Sequence, residues 1–115
     1  MANRVCHVEY EVTDLERAQH FFRTLFGWTF RTFGDMVVFG DGDDHVGGLT
    51  KSDSPRPGAT PSIWFDVEDL DGVLAKAADL NAKVLAEKHP LPGIGYSAQI
   101  ADPDGNPVGL VEFAK

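Results

Sequence analysis

The chain is poor in cysteine: Cys6 is the only one in 115 residues. One thiol excludes an internal disulfide and any cysteine-built zinc site, and fits a reducing cytosol. No apolar run approaches the roughly 18 residues of a membrane span, and no N-terminal stretch has the apolar core of a secretion signal. Basic residues are scarce, with ten Lys and Arg against eighteen Asp and Glu and a net charge of −8. That balance disfavours nucleic acid, whose phosphates reward a basic face. There is no G-x-S-x-G, no glycine loop to cradle phosphate, and no Cys–His dyad, because Cys6 and His7 are adjacent and point to opposite faces of a strand. Cys6 reads as a structural thiol. Against these absences stand 43% hydrophobic residues and eight Phe, enough to bury the core of one domain.

The chain repeats itself. Segments 7–26 (HVEYEVTDLERAQHFFRTLF) and 62–81 (SIWFDVEDLDGVLAKAADLN) follow one plan, with Asp14 and Asp69 standing 55 positions apart. Before those aspartates, Val8, Tyr10 and Val12 alternate as in a strand, and so do Ile63, Phe65 and Val67. After them the period becomes helical: Leu15, Ala18, Phe22 and Leu25 recur at the same spacings as Leu70, Val73, Ala77 and Leu80. Thr13 and Glu16 form a capping-box pattern, or Asp14 caps directly, and Asp69 serves the second copy. Gly27 is placed to end the first helix. Agreement in strand period, helix period and cap position identifies a duplication.

Each copy has room for three more strands: 28–33, 36–42 and 45–51 after the first helix, and 82–88, 95–101 and 107–113 after the second. DPDG at 102–105 suits a tight turn joining the last two strands. The Pro-, Gly- and Ser-rich stretch 52–61 reads as a linker between module one (4–51) and module two (62–113) of a single domain, 1–115. The predicted fold is α+β, two tandem βαβββ modules. Residues 88–96, with two Pro and two Gly, are either a lid or a plain connection.

The motifs H-x4-V-x-D-L-E-R-A (7–18), F-F-x3-F-G-W (21–28), F-D-V-E-D-L-D (65–71) and I-A-D-P-D-G-N-P-V-G-L-V-E (100–112) resemble the vicinal oxygen chelate superfamily. This is the group of glyoxalases, bleomycin resistance proteins and extradiol dioxygenases, and the likeness is nearest to its short glyoxalase-like members. The resemblance implies a cupped mixed sheet with the helices on its convex face, a pocket in the hollow, and a homodimer. Exposed strand edges give the same expectation of pairing. Metal-dependent relatives take one ligand from the first and last strand of each module. Here those positions fall on His7, Gly48, Ser62 and Gly109, so His7 is the one retained candidate. One imidazole cannot hold a catalytic ion, which needs about three protein ligands. Glu9 lies two residues along the strand, Glu112 has the wrong parity, His20 sits on the helix surface, and His45 and His89 read as loop residues. No resident cofactor is therefore expected, a divalent metal being the minor alternative. Glutathione lacks a basic cluster to receive it.

With Val8, Tyr10 and Val12 toward helix one, His7 and Glu9 face the hollow. By the same parity Ser62 and Trp64 do so from module two, and Gly48, Thr50, Gln99, Gly109, Val111 and Phe113 complete the expected ligand pocket. An aromatic plane, carboxylate acceptors and a glycine floor suit a small organic ligand, cationic or aromatic, stacked on Trp64. Each feature has a plainer reading. Trp64 packs or forms a dimer contact, Glu9 and Glu11 are solvated, and Gly47-Gly48 is a bulge. The expected function is binding or sequestering a small molecule, in the manner of bleomycin resistance relatives. The alternative is a lyase or isomerase with an incomplete metal site containing His7, or a metal-free acid/base pair of His7 with Glu9.

Overall fold

The computed structural model describes residues 3–41, 44–54 and 60–115. Gly42, at the end of the expected third strand, and residues 55–59 of the expected linker lie outside the described residues. The elements run β1 (Arg4–Val12), α1 (Leu15–Phe26), β2 (Thr29–Phe33), β3 (Met36–Asp41), β4 (Asp44–Lys51), β5 (Ser62–Asp66), α2 (Leu70–Asp79), β6 (Val84–Leu91), β7 (Gly95–Ala101) and β8 (Pro107–Phe113). The order is strand, helix, three strands, twice, and the fold is α+β, with eight strands and two helices among the described residues. Two compact units divide the chain: Cys6–Pro61, and Ser62–Lys115 together with the first five residues.

In the first unit the strand order is β2-β3-β4-β1, with β1 parallel to β4 and the other pairs antiparallel. The second unit repeats this as β6-β7-β8-β5, with β5 parallel to β8. A parallel neighbour needs a long crossover, which in each unit includes the helix and two intervening strands.

Each helix begins where an aspartate offers its carboxylate to a free backbone N–H. Asp14 accepts from Arg17 N at 3.0 Å and Asp69 from Gly72 N at 3.1 Å. The direct Asp14 cap is the one formed; the Thr13 hydroxyl instead accepts from the Arg17 guanidinium at 2.7 Å. Gly27 adopts the left-handed conformation at φ 69° and returns its N–H to Arg23 O at 2.8 Å, stopping α1.

The apolar stripe of α1, Leu15, Ala18 and Phe22, packs with Tyr10, Val12, Val37, Phe39 and Leu49. The rings of Phe22, Trp28 and Phe39 stack together, Trp28 and Phe39 at 4.7 Å between centroids. In the second unit Val67, Leu70, Ala98 and Leu110 form the core, with Val73, Leu74, Ile100 and Val108 against it. The expected stripes extend one residue too far in both helices: Leu25 and Leu80 are exposed. At 3.6 residues per turn Leu25 lies about 80° around the helix from Leu15, and Leu80 is already the C-cap of α2. Ile63, expected against helix two, is also exposed.

Residues 88–96 form the plain connection of the two alternatives, ordered as a hairpin. β6 and β7 pair through Pro90–Tyr96 and Leu91–Gly95 around a tight turn closed by Ile94 N to Leu91 O at 2.9 Å. His89 therefore belongs to a strand, where its ring contacts the Ser97 hydroxyl at 3.2 Å.

Candidate functional site

The first unit assembles a four-residue chain on the sheet face opposite α1. Alternation along β1 sends Tyr10 and Val12 to the helix and His7 and Glu9 to the other side. The His7 Nε2 and Glu9 Oε1 atoms are 2.6 Å apart. The second carboxylate oxygen of Glu9 accepts from the Thr50 hydroxyl at 2.5 Å. Glu9 is paired with Gly48 across the parallel ladder, and the missing side chain makes the room. A Cβ at Gly48 would stand 3.0 Å from Glu9 Oε1 and 3.2 Å from His7 Cε1. Side-chain exposure of 19% for His7 and 16% for Glu9 excludes the solvated reading of this carboxylate.

The fourth member is His45, whose sequence context suggests a loop. It lies in β4, opposite Gly40. Its Nε2 is 2.7 Å from His7 Nδ1, with the ring centroids 4.9 Å apart and the ring planes 17° from parallel. Simple alternation back from Gly48 would point His45 at the helix. A register shift intervenes: Phe39 pairs with Gly47, but Gly40 pairs with His45, so Val46 is an extra residue. Val46 packs in the helix-side core next to Gly47, whose Cβ would meet Val8 O and Phe39 Cζ. Two successive residues thus face α1, and His45 emerges beside His7. The bulge expected near Gly47-Gly48 is present one residue earlier.

Burial and the neighbouring His7 and Arg31 hold the His45 imidazole below the ordinary histidine value, against an opposing pull from Glu9. Arg31 shares this face: Arg31, Val38, Gly48 and Glu9 are successive partners across β2, β3, β4 and β1. Beside them, Thr29, Arg31, Val38, Gly40, Asp44 and His45 line a hollow of about 400 Å³ that His7 and Glu9 do not border.

The second unit treats its corresponding residues differently. Trp64 is paired with Gly109, and its indole occupies the place of the absent side chain: a Cβ there would lie 2.3 Å from Trp64 Cδ2. The indole N–H donates to Ser62 Oγ at 3.0 Å. Gly109 is therefore a bed for Trp64, correcting the expectation of an open glycine floor. Gln99 pairs with Gly109, Val111 is buried opposite Ser97, and Phe113 is exposed at the strand end. Glu112 points the other way, as its parity required, and Oε1 accepts the Leu70 N–H at 2.9 Å. It supplies a second acceptor at the positive end of α2.

Two βαβββ modules with a polar cluster on the first strand define a tandem-module α+β protein. The chain belongs to the Glyoxalase/Bleomycin resistance protein/Dioxygenase superfamily, whose family model matches residues 4–110. Over 67 residues it is 40% identical to the Mycobacterium bovis protein named "Putative glyoxylase CFP32", a match covering 56% of this chain and 24% of that one. A Mycobacterium tuberculosis protein of the same name matches equally. Among solved structures, homoprotocatechuate 2,3-dioxygenase from Brevibacterium fuscum (E323L mutant) superposes with a TM-score of 0.78 at 21% identity, over 99% of this chain and 33% of that one. The Mn(II)-bound glyoxalase from Novosphingobium aromaticivorans gives 0.73 at 22% identity, over 96% of this chain and 39% of that one. These two likenesses show the fold. The chain spans about a quarter of the curated relatives it matches.

The metal positions implied by the resemblance do not form a donor set. Both glycines lack a donor, Ser62 is engaged with Trp64, and both His7 nitrogens are engaged within the cluster. Among the described residues no three His, Cys, Asp or Glu side chains are arranged to hold an ion. No chemical step through a metal follows from these residues.

Proposed function

We propose that this chain binds a small organic molecule on the face of its first module opposite α1. The observation that carries the reading is His45, which borders an open hollow and is held from behind by His7, itself held by Glu9. A polar cluster fixed before a ligand arrives loses little freedom on binding, which favours recognition. The test is a thermal-shift and NMR screen with small cationic, anionic and neutral aromatic compounds. Binding that weakens at least tenfold in His45→Ala supports the reading; no saturable binder sinks it. A homodimer accompanies the proposal, checked by light scattering of the purified protein.

The second reading is a lyase or isomerase, favoured by the retained His7 and by the glyoxalase names of two relatives. Elemental analysis after incubation with zinc, nickel, manganese or iron(II) tests its metal-dependent form. About one retained ion per chain, lost in His7→Ala, would move this reading to first place.

A further inference from the structure

We infer that the hollow beside β2, β3 and β4 takes a small organic acid bearing a hydroxyl group, with Arg31 receiving the acid anion and His45 Nδ1 accepting the hydroxyl proton. This deepens the binding reading and rests on it.

The argument begins at Glu9. An ionised carboxylate only accepts hydrogen bonds. Its contacts with Thr50 and His7 therefore require His7 Nε2 to carry a proton. A neutral imidazole protonated there has a bare Nδ1, which must accept, so His45 Nε2 must donate across their 2.7 Å contact. A neutral His45 with its proton on Nε2 leaves Nδ1 as a lone pair. That atom has no hydrogen-bond partner among the described residues, and His45 is the one member of the chain that borders the hollow. Glu9 thus sets the tautomer of an imidazole it does not touch.

The second recognition element is Arg31. It lines the same hollow, is exposed, and makes no ion pair among the described residues. A guanidinium presents paired donors that match a carboxylate. Val38 and Gly40 supply apolar wall between the two groups. Asp44 is the opposing charge on the lining. The carboxylate expected to attract a cation, Glu9, is already satisfied by His7 and Thr50, which favours an anion at the free arginine.

The test uses ¹⁵N-labelled full chain titrated with 4-hydroxybenzoate, benzoate, phenol and benzamidinium. The expected result is saturable shifts at Arg31, Val38 and His45 with 4-hydroxybenzoate, weaker binding of benzoate, and none of benzamidinium. Arg31→Gln, at an exposed site, should lose at least tenfold in 4-hydroxybenzoate affinity with its melting temperature retained. Long-range ¹H–¹⁵N spectra of the free protein should show His45 Nδ1 unprotonated. A protonated Nδ1, an unchanged affinity in Arg31→Gln, or preferential binding of benzamidinium overturns the inference. Phenol or benzamidinium binding independent of Arg31 overturns it while leaving the binding reading intact. Saturation by none of the four overturns it, and the broader screen then decides the binding reading.

Discussion

Trp64 and Gly109 are complementary halves of one packing unit: the indole lies where a side chain on residue 109 would start, 2.3 Å from its Cβ position. Gly109→Ala should push the ring off β8 and cost about 1–3 kcal/mol, the usual range for overpacking. Trp64 emission should shift to the red, measured in a Trp28→Phe background because the chain has two tryptophans. Gly109→Glu, written to rebuild the metal-ligand pattern, should misplace Trp64 without gaining metal affinity. Unchanged emission and stability in Gly109→Ala would refute the packing unit.

Gly47 and Gly48 are neighbours with opposite tolerances. A Cβ at Gly47 would meet the Val8 carbonyl, a backbone atom that cannot step aside. Gly47→Ala should cost about 3 kcal/mol or more, at the upper end for overpacking. At Gly48 the near atoms belong to His7 and Glu9 side chains, which can give by tenths of an ångström. Gly48→Ala should cost about 1 kcal/mol and mainly disturb the His7–Glu9 pair, visible in the histidine ring resonances. Urea melts of the two variants check the ranking.

His45 predicts a pH dependence. Its folded value lies below the ordinary 6.5, owing first to burial and then to His7 and Arg31. As pH falls through 6.5 the unfolded chain takes the proton before the folded one, so stability declines. The decline ends once pH is below the folded value. Between pH 8 and 5 the melting temperature of His45→Gln should therefore fall less steeply than that of the parent. Parallel curves would remove His45 from the account.

Asp102 predicts a second loss of stability further into acid. Its carboxylate is held below the ordinary 3.8 first by the Asn106 side chain and then by the Asn106 backbone N–H. The Asp104 N–H is a further donor, at 2.9 Å. A depressed carboxylate stabilises the fold above its unfolded value, and that contribution is lost as pH falls through the folded value. Asp102→Ala should lower the melting temperature at pH 7, with the gap narrowing as the acid range is entered. A gap that does not narrow with acid would assign the effect to something other than ionisation.

Much of the fold was legible because it rests on local signals. The period change at Asp14 and Asp69, the two carboxylate caps and Gly27 fix both helices from nearby residues alone. The site was only half legible. His7, Glu9, Gly48 and Thr50 follow from strand parity, but His45 does not, because one extra residue resets the alternation and the Gly47-Gly48 pair that marks a bulge does not say which residue is the extra one. The glycine at 109 has its meaning only through the ring at 64, a pairing set by sheet register. Glu112 was correctly turned away from Gly109, yet its service to Leu70 depends on where α2 begins relative to β8.

The extra residue at Val46 works like a frameshift in side-chain direction. Everything from Gly47 onward keeps its face whatever happens upstream, while the face shown by His45 is set by which residue pairs with Gly40. Pairing Val46 there in place of His45 would turn the imidazole toward the aromatic stack and empty the position beside His7, with every chemical group of the cluster still in the chain. Deleting Val46 would do the opposite: His45 would adjoin Gly47 directly, in regular register against Gly40, and keep its face. The cluster is thus encoded partly in pairing register, and a strand that kept all its residues but closed the bulge would keep its inventory of groups and lose their convergence.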